Sequence, residues 1–154
     1  KRGATRVYAV DVGRGQLSYR LRQDERGVVM ERCNARYAYD LPEPVELVVI
    51  DVAFISLSLV IPPVLDHLKN SCFLIALVKP QFEAPKEKVG RGGVIKDPKT
   101  HAAVLSKVIK WVVGQRLRVR GLCRSPVLGD AGNTEFFLLL QKPNQTVLES
   151  SLSS

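Results

Sequence analysis

Apolar positions along this chain fall into short runs, separated by turn residues and by segments with helical spacing. Thr5–Val12 (TRVYAVDV) predicts a strand, Gln16–Arg22 a short helix and Gly27–Arg32 (GVVMER) a second strand. Val45–Val52 (VELVVIDV) predicts a third strand, entered through the turn Leu41–Pro44 (LPEP). Ser56–Leu68 reads as a helix that Pro62 and Pro63 bend or split. Ser71–Pro80 (SCFLIALVKP) predicts a fourth strand, ended by Pro80. After a long polar loop, Gln81–Pro98, a helix is expected over Lys99–Gly114, with Ala103, Val104, Val108, Ile109, Val112 and Val113 on one face. Arg116–Val127 and Thr134–Lys142 are two further strands joined only by the turn-rich Leu128–Asn133 (LGDAGN), which predicts an antiparallel hairpin. Residues 143–154 form a polar tail.

The order β-α-β-β-α-β-α-β-β is that of an α/β protein with an open, mostly parallel sheet and a C-terminal antiparallel hairpin. The continuous apolar runs suit parallel strands covered on both faces. This arrangement resembles the Rossmann-like S-adenosylmethionine methyltransferases, and other doubly wound folds with an antiparallel edge share it.

Composition adds a direction to this picture. The 154 residues carry 23 Lys+Arg against 15 Asp+Glu, a net charge of +8. That sign favours an anionic partner, RNA or DNA first, with an ordinary basic domain as the alternative. Cys33, Cys72 and Cys123 are widely spaced and form no C-x-x-C pair, so they read as buried, reduced thiols. His67 and His101 fall in expected helices without ligand spacing, and no metal site is predicted. Leu59–Leu65 and Phe73–Val78 are far shorter than the roughly 18–20 residues that span a bilayer. With no signal peptide visible, a cytoplasmic protein without a membrane partner is expected. The chain starts KRGATRVYAV, without an initiator methionine, as a fragment would.

Ligands of open α/β sheets bind at the carboxyl ends of the strands, so polar residues ending apolar runs are the candidates. Asp11 ends the first strand just before Gly13 and Gly15. It could accept hydrogen bonds from both hydroxyls of a cofactor ribose, or it could cap a turn or helix. Asp51 ends a strand apolar enough that an unpaired carboxylate would be costly, which suggests a cationic partner, a catalytic task or a helix cap. Lys79 continues the fourth strand and could meet Asp51, or simply reach water. Glu135 opens the last strand, and antiparallel geometry brings it to the same sheet edge unless it is a surface hairpin residue. An acid–lysine–acid group beside a ribose-binding aspartate makes a plausible reaction site.

The segments VYAVDVGRGQL, ERCNAR, LVVIDVAFISL, LVKPQFE, VGRGGVIKDP and GNTEFFLLL run in order from Val7 to Leu140. They resemble the hemolysin-A-like (TlyA) branch of the FtsJ-type RNA methyltransferases. The resemblance implies a class I methyltransferase domain over 1–142 that moves the S-adenosylmethionine methyl group to a ribose 2′-oxygen of ribosomal RNA. Of the family's lysine–aspartate–lysine–glutamate set, Asp51, Lys79 and Glu135 match the last three. The first lysine, the first strand with its glycine-rich cofactor loop, and the family's S4-type RNA-binding domain would precede Lys1. Asp11 matches the acid that grips the cofactor ribose. Val12, Asn34, Ala35 and Asp51 complete the implied cofactor contacts.

A sulfonium methyl is already activated, so alignment and removal of the hydroxyl proton are the tasks left to the protein. Lys79 is expected to take or steer that proton, Asp51 to orient it, and Glu135 to position Lys79 or the ribose. The glycine-rich loop with Arg91, Lys96 and Lys99 is expected to contact RNA phosphates, its alternative being a solvated surface loop. Competing readings are a non-catalytic RNA-binding module and a membrane-active hemolysin. A dinucleotide-dependent oxidoreductase would need G-x-G-x-x-G, and Gly13-Arg14-Gly15 continues Gln16-Leu17-Ser18. A sheet edge left open by the absent first strand would allow a homodimer.

Overall fold

The computed structural model describes residues 2–144. The predicted tail therefore lies, from residue 145 on, outside the described residues. The chain divides into two compact units, Lys1–Asp40 and Leu41–Ser154.

In the first unit, β1 (Val7–Val10) and β2 (Gly27–Met30) pair in parallel from Val7↔Gly27 to Val10↔Met30. A parallel pair needs a crossover, and α1 (Tyr19–Arg22) lies in it. The helix is shorter than its predicted Gln16–Arg22 span because the residues before it are held otherwise. The Gly15 amide donates to Glu31 at 2.6 Å, and Ser18 is extended and makes no side-chain cap. Glu31 also accepts from the Arg22 guanidinium at the helix end. Arg22, and after it the Gly15 amide, hold the Glu31 carboxyl below its usual range. No described side chain of this unit is fully buried.

The second unit is built on a four-stranded sheet of order β3-β4-β6-β5. Its elements are β3 (Val45–Ile50), α2 (Leu57–Leu65), β4 (Leu68–Val78), α3 (Pro80–Glu83), α4 (Pro98–Gly114), β5 (Arg118–Arg124) and β6 (Phe136–Gln141). β3 and β4 are parallel, and β6 runs antiparallel to both β4 and β5. The predicted hairpin is present, and its second strand inserts between β4 and β5. The fold is α/β, as expected, but in two sheets, one parallel and one mixed.

Alternation decides what is buried. Leu74 and Ala76 on β4 face Leu140 and Leu138 across the ladder, and all four are fully buried. Ile61 of α2 and Val112 of α4 close the same core. The opposite face is not covered as the sequence suggested: Leu47, Val49, Phe73 and Phe137 are exposed.

Three boundaries differ for physical reasons. Helix α2 runs unbroken through Pro62 and Pro63, and Leu68, expected at its end, begins β4 instead. Burial of Leu57, Val60, Ile61 and Val64 along one face outweighs the two lost amide donors. β4 starts early because Val45 pairs with Leu68, and an irregularity with Ser71 at φ 62° then restores the register at Leu47↔Phe73. Pro80 does not merely stop β4 but occupies the first turn of α3, where its missing N–H costs nothing.

On α4 the buried stripe is narrower than predicted: Val104, Val108 and Val112 are inside, whereas Ala103 and Val113 are exposed. The cysteines are free, but none is fully buried and Cys123 is exposed. Cys123 sits on an outer strand, where only one side of the ladder is covered. His67 lies in the turn after α2 rather than in a helix.

Leu138 tests the register. Leu138→Ala should lower unfolding free energy in urea by about 2–5 kcal/mol. Leu122→Ala, at a side chain 43% exposed, should cost well under half as much.

Candidate active site

The sheet brings three strand termini to one edge. Ile50 pairs with Ala76 in parallel register, so Asp51 leaves β3 beside the end of β4. Val78 pairs with Phe136 in antiparallel register, so Lys79 leaves β4 where Glu135 enters β6. The Lys79 ammonium forms an ion pair with Asp51 Oδ1 at 2.8 Å. Lys79 is largely covered, with 18% of its side chain exposed, whereas Asp51 is 63% exposed. An ion pair in this position fixes the lysine head while leaving one side open to a ligand.

Glu135 is buried, and its Oε1 accepts from the Gln81 side-chain amide at 3.2 Å. Its place depends on Gly129, where an added Cβ would come within 2.1 Å of Glu135 Oε1. The other amide atom of Gln81, Oε1, is buried and has no hydrogen-bond partner among the described residues.

Two further residues shape this edge. Glu83, also buried, accepts from the Leu57 amide at 2.7 Å and from the Ser56 hydroxyl at 2.8 Å. Its carboxylate therefore sits on the N-terminus of α2, where both the free amides and the helix dipole favour negative charge. This fastens the Lys79–Glu83 segment to the loop that begins with Asp51. Phe54, in that loop, has φ 62° and is 89% exposed, with its ring 4.9 Å from that of Phe82.

The remaining predicted residues fall elsewhere. In the first unit, Asp11 N donates to Met30 O, and Cys33 N and Arg32 N donate to Asp11 O and Gly13 O. Asp11, Val12, Asn34 and Ala35 thus lie on two loops tied together at the carboxyl ends of β1 and β2. Asp11 Oδ1 accepts from the Gly13 amide at 2.7 Å. Asp11, Val12 and Asn34 are exposed. A shallow pocket of about 150 Å³ is lined by Ala9, Val10, Asp11, Gln16, Leu17, Val29 and Glu31.

In the second unit, Arg91, Lys96 and Lys99 are exposed. Arg91 lies in the turn closed by Gly93 N donating to Gly90 O, Lys96 follows Ile95, and Lys99 is in the first turn of α4. No group of three or more metal-ligating side chains occurs among the described residues. No helix among them is long and apolar enough to cross a membrane.

Sequence reasoning missed Gln81, Glu83 and Phe54. All three lie inside the segments quoted above, and Ser56 before an apolar helix was a legible cap signal. Its acidic partner was not, because Glu83 reaches it from 27 residues away.

The FtsJ-like methyltransferase family profile matches residues 1–142. The protein named "Putative rRNA methyltransferase YqxC" of Bacillus subtilis is 48% identical over 146 residues, covering 93% of this chain and 52% of that protein. The 16S/23S rRNA (cytidine-2′-O)-methyltransferase TlyA of Mycobacterium tuberculosis is 41% identical over 153 residues, covering 97% of this chain and 56% of that protein. A solved structure, "a putative hemolysin from Lactococcus lactis", superposes with a TM-score of 0.87 at 41% identity, over 99% of this chain and 78% of that one. The chain spans about half the length of the curated relatives it matches.

Glu83→Ala removes a buried carboxylate from two donors, and should cost about 2–3 kcal/mol in chemical denaturation. Glu83→Gln keeps one acceptor and should lose less. Equal stability of Glu83→Ala and the parent would contradict the anchoring of α2.

Proposed function

The chain belongs to the FtsJ-like methyltransferase family, and on that premise we propose that the protein transfers the methyl group of S-adenosylmethionine to a ribose 2′-oxygen of ribosomal RNA. The observation that carries this reading is the 2.8 Å Lys79–Asp51 pair at the sheet edge where Glu135 begins β6.

The first unit fits the nucleoside end of the cofactor. One Asp11 oxygen is engaged by Gly13, which leaves the other to accept from ribose hydroxyls. The 150 Å³ pocket beside it suits a ribose-sized group rather than a whole cofactor, since typical ligand sites enclose about 300–1,000 Å³. Asp11, Val12, Asn34 and Ala35 would hold the nucleoside. When bound, S-adenosylmethionine supplies an electrophilic methyl group on a sulfonium.

The protein's own residues then align the nucleophile and handle its proton. Lys79 steers the proton of the ribose 2′-hydroxyl as the ammonium, or takes it once it has released its own, a role that needs a lysine held in place and partly desolvated. Asp51 holds the Lys79 head. Glu135, held by the Gln81 amide, positions Lys79 or the ribose. Phe54 offers an exposed aromatic face for the target nucleobase, as single-stranded RNA bases are commonly received. Arg91, Lys96 and Lys99 contact phosphates. The substrate is ribosomal RNA or a ribosomal subunit, met in the cytoplasm.

In the full-length protein, Lys79→Ala should lower methyl transfer to ribosomal RNA about a hundredfold or more, with cofactor affinity nearly unchanged. Asp11→Ala should instead weaken S-adenosylmethionine binding about tenfold or more, read by titration calorimetry. Full transfer by Lys79→Ala would remove it from the reaction.

A homodimer through β3 is a second reading. β3 pairs only with β4 among the described residues, and Leu47 and Val49 on it are 54% and 67% exposed. Sedimentation velocity should give a dimer at micromolar concentration, and a monomer throughout that range would end this reading.

A further inference from the structure

The glycine loop that follows α3 is not a free surface excursion. Ile95 is buried, and both polar groups of its backbone are held. Its amide donates to Asn133 Oδ1 at 3.0 Å. Its carbonyl accepts from His101 Nε2 at 3.0 Å, so that ring nitrogen carries the proton. Asn133 is itself buried, and its amide nitrogen donates to Gly93 O at 2.9 Å and to Asp130 O at 3.2 Å. One side chain thus satisfies three backbone groups on two segments some 40 residues apart in sequence.

The loop is also folded on itself. Gly93 N donates to Gly90 O and Gly90 N to Val94 O. Gly93 has φ 76°, a conformation that a side chain would strain.

Both anchors flank the buried glutamate. Asn133 precedes Glu135 by two residues, and His101 sets its ring edge-on to Phe136, which follows it, at 5.8 Å between centroids. The turn around Asn133 is closed as well, with Gly129 N donating to Asn133 O at 2.8 Å, and Gly129 is the residue that leaves room for the Glu135 carboxylate. The peptide of Ile95, four residues after Arg91 and next to Lys96, is therefore clamped to the two sides of Glu135.

We propose that Asn133, assisted by His101, is a positioning residue that latches the Gly90–Ile95 loop to the turn carrying Glu135, so that RNA held by the loop is set in register with that carboxylate. The inference rests on the reading of this loop as an RNA contact and of Glu135 as part of the reaction site. An asparagine is suited to the task because it offers an acceptor and two donors at once. A carboxylate would keep the Ile95 bond and turn an oxygen against two carbonyls.

The test uses full-length protein with ribosomal RNA. In Asn133→Asp, amide exchange at Gly93 and Ile95 should speed about tenfold, the worth of one hydrogen bond. The KM for RNA should rise about tenfold while that for S-adenosylmethionine stays within about twofold. Loss of folded protein alone would lower apparent kcat and leave both KM values in place, so the split separates positioning from stability. His101→Phe keeps a ring against Phe136 and loses only the donor, and should shift exchange and RNA KM the same way by less. It also decides the matter should Asn133→Asp not fold.

Wild-type exchange in these variants overturns the latch. Faster exchange with unchanged RNA KM overturns its coupling to RNA. The Arg91→Ala/Lys96→Ala double variant reads the loop's RNA contact separately: parent-like RNA affinity and salt dependence would end that contact, while the exchange rates still decide the latch.

Discussion

The pairing of β4 with β6 is the constraint on which the candidate site depends. β4 is parallel to β3 on one side and antiparallel to β6 on the other. Two strand ends and one strand start therefore open onto the same edge, which is how residues 51, 79 and 135 become neighbours. The register is fixed by the core rather than by the site. Leu138 and Leu140 are fully buried opposite Ala76 and Leu74, and a slip of one residue would turn both outward. Hydrophobic burial thus sets the position of the polar groups to within a residue.

The three acids at this edge differ in what neutralises them. Asp51 is exposed and paired with Lys79. Glu83 is buried but receives a backbone amide and a hydroxyl, so its charge serves to anchor α2. Glu135 is equally buried and has only the Gln81 amide as a side-chain donor among the described residues. Buried carboxylates are costly without hydrogen bonds. Glu135 is therefore the acid with unused capacity, next to a glutamine whose oxygen is also unmet. Two glutamates of similar burial thus differ in how fully their charge is met, one held at a helix start and the other by a single side-chain donor.

Much of this was legible locally. The strand positions followed from apolar runs, and the hairpin from the absence of a helix between the last two. Asp51, Lys79 and Glu135 were legible because polar residues at the ends of apolar runs are conspicuous. What escaped depended on partners distant in the chain. The predicted helix start at Gln16 was overridden by the Gly15–Glu31 bond, and the early start of β4 was set by Val45. Asn133 looked like one more turn residue in LGDAGN, although it is buried and satisfies Ile95 and Gly93. His101 read only as a helix histidine without ligand spacing, and its bond to Ile95 O could not be inferred from that spacing.

The sequence by itself determined the α/β class, the number and order of most elements, the family resemblance and the three residues at strand ends. Those properties are written in local periodicity and in short ordered segments, which need no knowledge of neighbours. Only the tertiary structure decided that β6 lies between β4 and β5, that Lys79 pairs with Asp51, and that Gln81, Glu83 and Asn133 tie the surrounding loops together. Each of those is a contact between segments far apart in the chain. Such contacts are selected by which apolar faces bury together, and polar groups then pair with whatever that burial brings within hydrogen-bonding reach.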